Sequence, residues 1–116
     1  AKRAVETPGP AYVHVLSVCP TGWRIPSEQA IAYGKLATQT GVFPLYEVID
    51  GEYHMSMDIK QRKPVTEYFK GHGRFRHLTP DLVAEIQKRV DRDWERLRAR
   101  CVNLKGGDAG QGTEEE

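Results

Sequence analysis

Cys19, in the turn-like run Cys19-Pro20-Thr21-Gly22-Trp23, is the residue of this chain most suited to chemistry. A thiolate is a soft, anionic ligand well matched to iron. The other cysteine, Cys101, lies far along the chain, and no Cys-x-x-Cys pair occurs. Two such thiols do not make the disulfide framework of a small secreted domain. Nor can they supply the four thiolates of an iron–sulfur cluster. If Cys19 binds a metal, its companion ligands lie on another polypeptide segment. By composition alone a free cysteine is more often a small core residue than a ligand, so both readings stand at this point. Thr21 and Gly22 follow it. A glycine here lets backbone approach a cofactor closely, or simply makes the turn.

The other candidates carry blander readings. His14 falls within an apolar run and reads as a hydrogen-bonded interior histidine. No carboxylate or nucleophile is placed by sequence around His72 or His77, which read as loop residues. Lys70, Arg74, Arg76 and His77 surround Phe75 in a glycine-hinged basic loop. That loop could grip a phosphate-rich ligand or an acidic protein, or simply pair with acids of a neighbouring subunit. Arg92, Arg96 and Arg100 recur every four residues, but Asp91, Asp93 and Glu95 interrupt them, which favours a solvated or intersubunit face.

Positioning Cys19 falls to Tyr12–Val18, a β-prone and mostly apolar run. It reads as a strand buried on both faces, as in a parallel sheet, where ligands gather beyond the carboxyl ends of the strands. Few other stretches could serve as its neighbours, so something outside this sequence is expected to complete the sheet. Pro26 and Ser27 start a helix that runs to about Thr40 and stops at Gly41, with Ala30, Gly34 and Ala37 forming a small-residue side. Phe43–Ile49 and Tyr53–Met57 flank Asp50-Gly51, a hairpin signal, with Tyr53, Met55 and Met57 on the buried face. Pro64 opens a short helix from Val65 to about Lys70. Thr79-Pro80-Asp81 starts a last helix, whose Val83, Ile86, Val90, Trp94, Leu97 and Cys101 form an apolar stripe. On that stripe Cys101 reads as core. Residues 105–116 read as a disordered, acidic, glycine-rich tail.

The run Gly9-Pro10-Ala11-Tyr12-Val13-His14-Val15-Leu16-Ser17-Val18-Cys19-Pro20-Thr21-Gly22-Trp23 resembles part of a known family. This is the thiamine-diphosphate-binding β subunit of the 2-oxoacid:ferredoxin oxidoreductases, most closely the pyruvate branch. The resemblance continues through Gly41–Glu47, Lys63–Val65, Glu67–Phe69 and Gly73–Leu78, and so covers roughly residues 9–100. Val18 stands where the family has proline. The resemblance implies an α/β fold: residues 1–104 would be the C-terminal portion of a thiamine-diphosphate-binding domain. It also implies that Cys19 is the fourth thiolate of a 4Fe–4S cluster, with Thr21 and Gly22 lying near the cofactors. The family's Gly-Asp-Gly diphosphate motif and Cys-x-x-Cys are absent here, and the chain begins on Ala1, with Ala1–Glu6 reading as the last turn of a helix. It is therefore expected to be part of a longer subunit. Thiamine diphosphate and Mg²⁺ would be held in the intact enzyme, mostly by residues outside this chain. The implied partners are the remainder of the β subunit, the other subunits, ferredoxin, coenzyme A and a 2-oxoacid. The chain alone would be inactive.

A second reading, of another class, is a small α/β module that binds protein or nucleic acid through its basic loop and last helix. The net charge of +1 gives no global pull toward nucleic acid or acidic membranes. No apolar run is long enough to span a bilayer and no signal peptide is evident, so a cytoplasmic protein is expected. A chain of 116 residues makes one domain with a modest core.

Overall fold

The structure, a computed structural model, describes residues 1–104. The expected tail, 105–116, lies outside the described residues. The order of elements is α1 (Lys2–Glu6), α2 (Pro20–Trp23), α3 (Ala30–Gln39), β1 (Tyr46–Ile49), β2 (Glu52–Met55), α4 (Val65–Phe69) and α5 (Pro80–Arg100). Short 3₁₀ turns at Ser27–Gln29, Gly73–Phe75 and Val102–Leu104 complete the set.

Local signals set most boundaries. Thr79 caps α5 by accepting from the Leu82 N–H, with Pro80 in the first turn and Asp81 beside the positive helix end. Gly41 follows α3 with φ +82°, the left-handed conformation that ends helices. Asp50 and Gly51 both have positive φ, +51° and +80°, as a two-residue hairpin turn requires. The hairpin pairs Tyr46 with Met55 and Ile49 with Glu52 in antiparallel register. Its buried face is narrower than expected: Met55 is buried and Tyr53 half-buried, but Met57 is exposed.

The expected strand at Tyr12–Val18 is not formed. Among the described residues the sheet is the two-stranded β1–β2 hairpin, with no parallel ladder between named strands. Tyr12, Val13 and Val15 are 86%, 52% and 73% exposed, so the run is not buried on both faces. His14 is also exposed, its ring edge-on to Phe43 at 5.1 Å, rather than interior. The cause is that a strand needs a hydrogen-bonding neighbour, and no described segment forms backbone hydrogen bonds with this one. Leu16 and Val18 nevertheless pack inward. The small side of α3 receives them: a Cβ on Gly34 would stand 3.2 Å from a Val18 methyl.

Two apolar clusters hold the rest. Trp23, Ile25, Tyr33, Ala37 and Tyr68 form the first, joining α2, α3 and α4. Met55, Trp94 and Cys101 form the second, which fastens α5 to the hairpin. The chain after α5 also contributes. The Asn103 side-chain amide donates to the Met55 carbonyl and accepts from the Met55 N–H, both at 3.0 Å, much as a neighbouring strand would. Between α5 and the loop before α4, Arg62 bonds Asp91 at 2.6 Å and the Thr40 carbonyl at 3.0 Å. Gln87 links Asp91 to the Val65 N–H.

Candidate functional site

Cys19 ends the extended segment and caps the single turn α2. Pro20 occupies the first helical position, where its missing N–H costs nothing. The Trp23 N–H donates to the Cys19 carbonyl at 2.8 Å and the Ile25 N–H to the Pro20 carbonyl at 3.1 Å. The Gly22 N–H points at Cys19 Sγ, 3.4 Å away, within the range of a hydrogen bond to sulfur. Arg24 then adopts φ +54°, an uncommon conformation for a non-glycine residue, and closes the turn. Cys19 is exposed, as are Thr21 and Gly22, whereas Trp23 and Ile25 are buried. The turn therefore presents the thiol outward and anchors itself through its last residues.

The anchor is a box of aromatic rings that the sequence reading missed. His72 is 1% exposed. Its ring stacks on Trp23 at 4.9 Å and 23°, and meets Phe75, Tyr68 and Tyr33 edge-on at 4.8, 5.1 and 5.5 Å. Neither ring nitrogen makes a well-formed hydrogen bond, the Tyr68 backbone offering only a weak one. Burial lowers the pKa of His72 from its ordinary value of 6.5, and the Arg74 guanidinium lowers it further, against a smaller opposing pull from the Tyr68 backbone. The Tyr68 hydroxyl is held above its usual pKa by burial, which Arg74 partly offsets.

The structure thus brings the cysteine turn and the basic loop together. Arg74 lies 4.9 Å over the Trp23 ring and 4.6 Å over that of Phe75, so it is engaged in cation–π contacts. The Gly73 N–H donates to the Arg24 carbonyl at 3.2 Å. A Cβ on Gly73 would fall 2.5 Å from Arg24 Cβ, so only glycine lets the two segments approach. The glycines flanking His72 were the available signal, since they mark close backbone approach. Lys70, Arg76 and His77 remain exposed. Along α5, Asp93 lies 3.8 Å from Arg92 and 4.0 Å from Arg96, while Arg100 sits over Tyr53. That face is a charge-balanced surface.

Cys101 is fully buried in the second cluster, and burial raises its thiol pKa. It is core, as the stripe implied. Among the described residues no three or more His, Cys, Asp or Glu side chains gather into a metal site. Cys19 itself offers a free, exposed thiol with the Gly22 N–H beside its sulfur, a soft donor of the kind iron takes. Also among the described residues, no helix is long and apolar enough to cross a membrane.

No family model matches the chain. It is 46% identical over 90 residues to pyruvate synthase subunit PorB of Methanocaldococcus jannaschii, covering 78% of this chain and 30% of that protein. Against ketoisovalerate oxidoreductase subunit VorB of Pyrococcus horikoshii, identity is 41% over 99 residues, covering 84% and 32%. The Thermotoga maritima PorB is 42% identical over 101 residues, covering 83% and 31%. The chain spans about a third of the length of these relatives. Over some four-fifths of its own length and a third of theirs, the chain is thus homologous to the PorB subunits of pyruvate synthase and the VorB subunits of ketoisovalerate oxidoreductase.

Proposed function

We propose that the chain is the C-terminal portion of a thiamine-diphosphate-binding β subunit, in which Cys19 gives one thiolate to a 4Fe–4S cluster. The assembled enzyme would oxidise a 2-oxoacid, pyruvate in our reading, to acyl-coenzyme A and carbon dioxide, passing two electrons to ferredoxin, or run the reverse. The observation that carries this reading is the homology to PorB and VorB over some four-fifths of the chain. It also favours an oxidoreductase portion over a nucleic-acid or protein-binding module.

A cluster supplies a one-electron carrier, suited to moving reducing equivalents singly to ferredoxin. Toward it this chain would hold the Cys19 thiolate outward and aim the Gly22 N–H at its sulfur. Such a bond to a cluster ligand tunes the reduction potential. Thr21 and Gly22 line the same exposed turn. Thiamine diphosphate and Mg²⁺ would be bound by the rest of the enzyme. No acid, base or nucleophile for the carbon chemistry is assigned to this chain, which would be silent alone. The remainder of the β subunit would cover Tyr12, Val13 and Val15, and would offer the neighbouring strand that the Tyr12–Val18 run lacks. The exposed Lys70, Arg76 and His77 would face a neighbouring subunit, coenzyme A or ferredoxin, and the assembly would work in the cytoplasm.

The test joins the chain to the missing portion and the other subunits, reconstitutes iron and sulfide, and follows absorbance near ~400 nm. Cys19→Ser should lose a discrete part of that absorbance, whereas Cys101→Ser should keep it in whatever fraction folds. Equal absorbance in wild type and Cys19→Ser would reject the assignment.

A further inference from the structure

Histidine is unusual inside an aromatic box when neither nitrogen is satisfied, because a buried polar group without a partner is destabilising. His72 sits in that position, 1% exposed, with Trp23 stacked on it. Trp23 is the last residue of the turn that begins at Cys19, and its backbone N–H is bonded to the Cys19 carbonyl. The chain after Trp23 is held as well, since the Arg24 carbonyl accepts from Gly73, the residue next to His72.

We propose that His72 is the positioning residue of the cysteine turn: its buried ring, stacked on Trp23, fixes that side chain, and Trp23 fixes the backbone that presents the Cys19 thiol. The functional meaning rests on the reading of Cys19 as a cluster ligand; the mechanical coupling does not. The packing disfavours a charge on the ring. The groups around it are Trp23 from the turn, Tyr33 from α3, Tyr68 from α4, and Phe75 and Arg74 from its own loop. Arg74 repels a proton on the ring, and no carboxylate is among the groups that shift His72. Acid therefore loosens the box, and with it the turn.

Hydrogen exchange on the complete chain reads this directly and needs no cluster. At pH 7.5 the Trp23 and Ile25 amides should be protected. His72→Ala should lower that protection tenfold or more while leaving the Val90 and Trp94 amides in α5 unchanged. His72→Phe keeps an uncharged ring and should keep the protection. Between pH 7.5 and 5, after correction for intrinsic exchange, protection at Trp23 and Ile25 should fall in the wild type and stay level in His72→Phe. The proposal is overturned if the wild type is unprotected there, if Phe behaves as Ala, if the loss is uniform along the chain, or if the acid response survives in His72→Phe. Because absorbance tests the Cys19 ligand and exchange tests the box, either can fail alone.

Discussion

Gly73 shows how closely two functional segments depend on one missing atom. A methyl group there would stand 2.5 Å from Arg24 Cβ and 2.8 Å from its carbonyl oxygen, and neither can yield cheaply. Gly73→Ala should destabilise the chain by about 1–3 kcal/mol, as overpacking does. Urea unfolding measures this, and an unchanged midpoint would contradict the close approach. Two titrations add pH limbs of known sign. The folded pKa of His72 is depressed, so its contribution is intact above 6.5, falls as pH drops below that value, and is gone below the folded pKa. The Arg62 hydrogen bond lowers the pKa of Asp91, against its partial burial. Its stabilisation is present above 3.8 and is lost as pH falls through the lower folded value. Stability measured across this range should lose its upper limb in His72→Phe and its lower limb in Asp91→Asn. Unchanged profiles in these variants would contradict the assignments.

Elements whose limits are written locally were legible in the sequence. Thr79-Pro80-Asp81, Gly41 and Asp50-Gly51 each act within a few residues, and helix α5, the end of α3 and the hairpin turn follow from them. What depended on distant partners was not legible. Tyr12–Val18 has the composition of a strand, but pairing is a property of two segments, and none of the described segments pairs its backbone with it. His72 looked like a loop residue because its box is assembled from α2, α3 and α4. Asn103 gave no signal, yet its amide pairs with both backbone groups of Met55. Asn103→Ala should cost about 1–2 kcal/mol by leaving those groups unpaired. Amide exchange at Met55 should quicken with it; unaltered exchange would show that the bonds contribute nothing.

At the scale of the whole molecule, the proposed function makes the chain a portion of a larger machine. It spans about a third of its relatives. It leaves Tyr12, Val13 and Val15 exposed beside an open groove of about 400 Å³ lined by Leu16, Val18, Gly34, Phe43 and Leu45. Such apolar surface suits contact with another polypeptide. The Cys19 turn lies next to it in sequence, so the thiol and the uncovered segment would meet the rest of the enzyme together. The most direct measurement is the iron and acid-labile sulfide content of the purified, assembled oxidoreductase carrying wild-type or Cys19→Ser chain. Loss of about four irons per β subunit from the variant, with subunit composition unchanged, is the predicted result. Equal iron in the two complexes would contradict it.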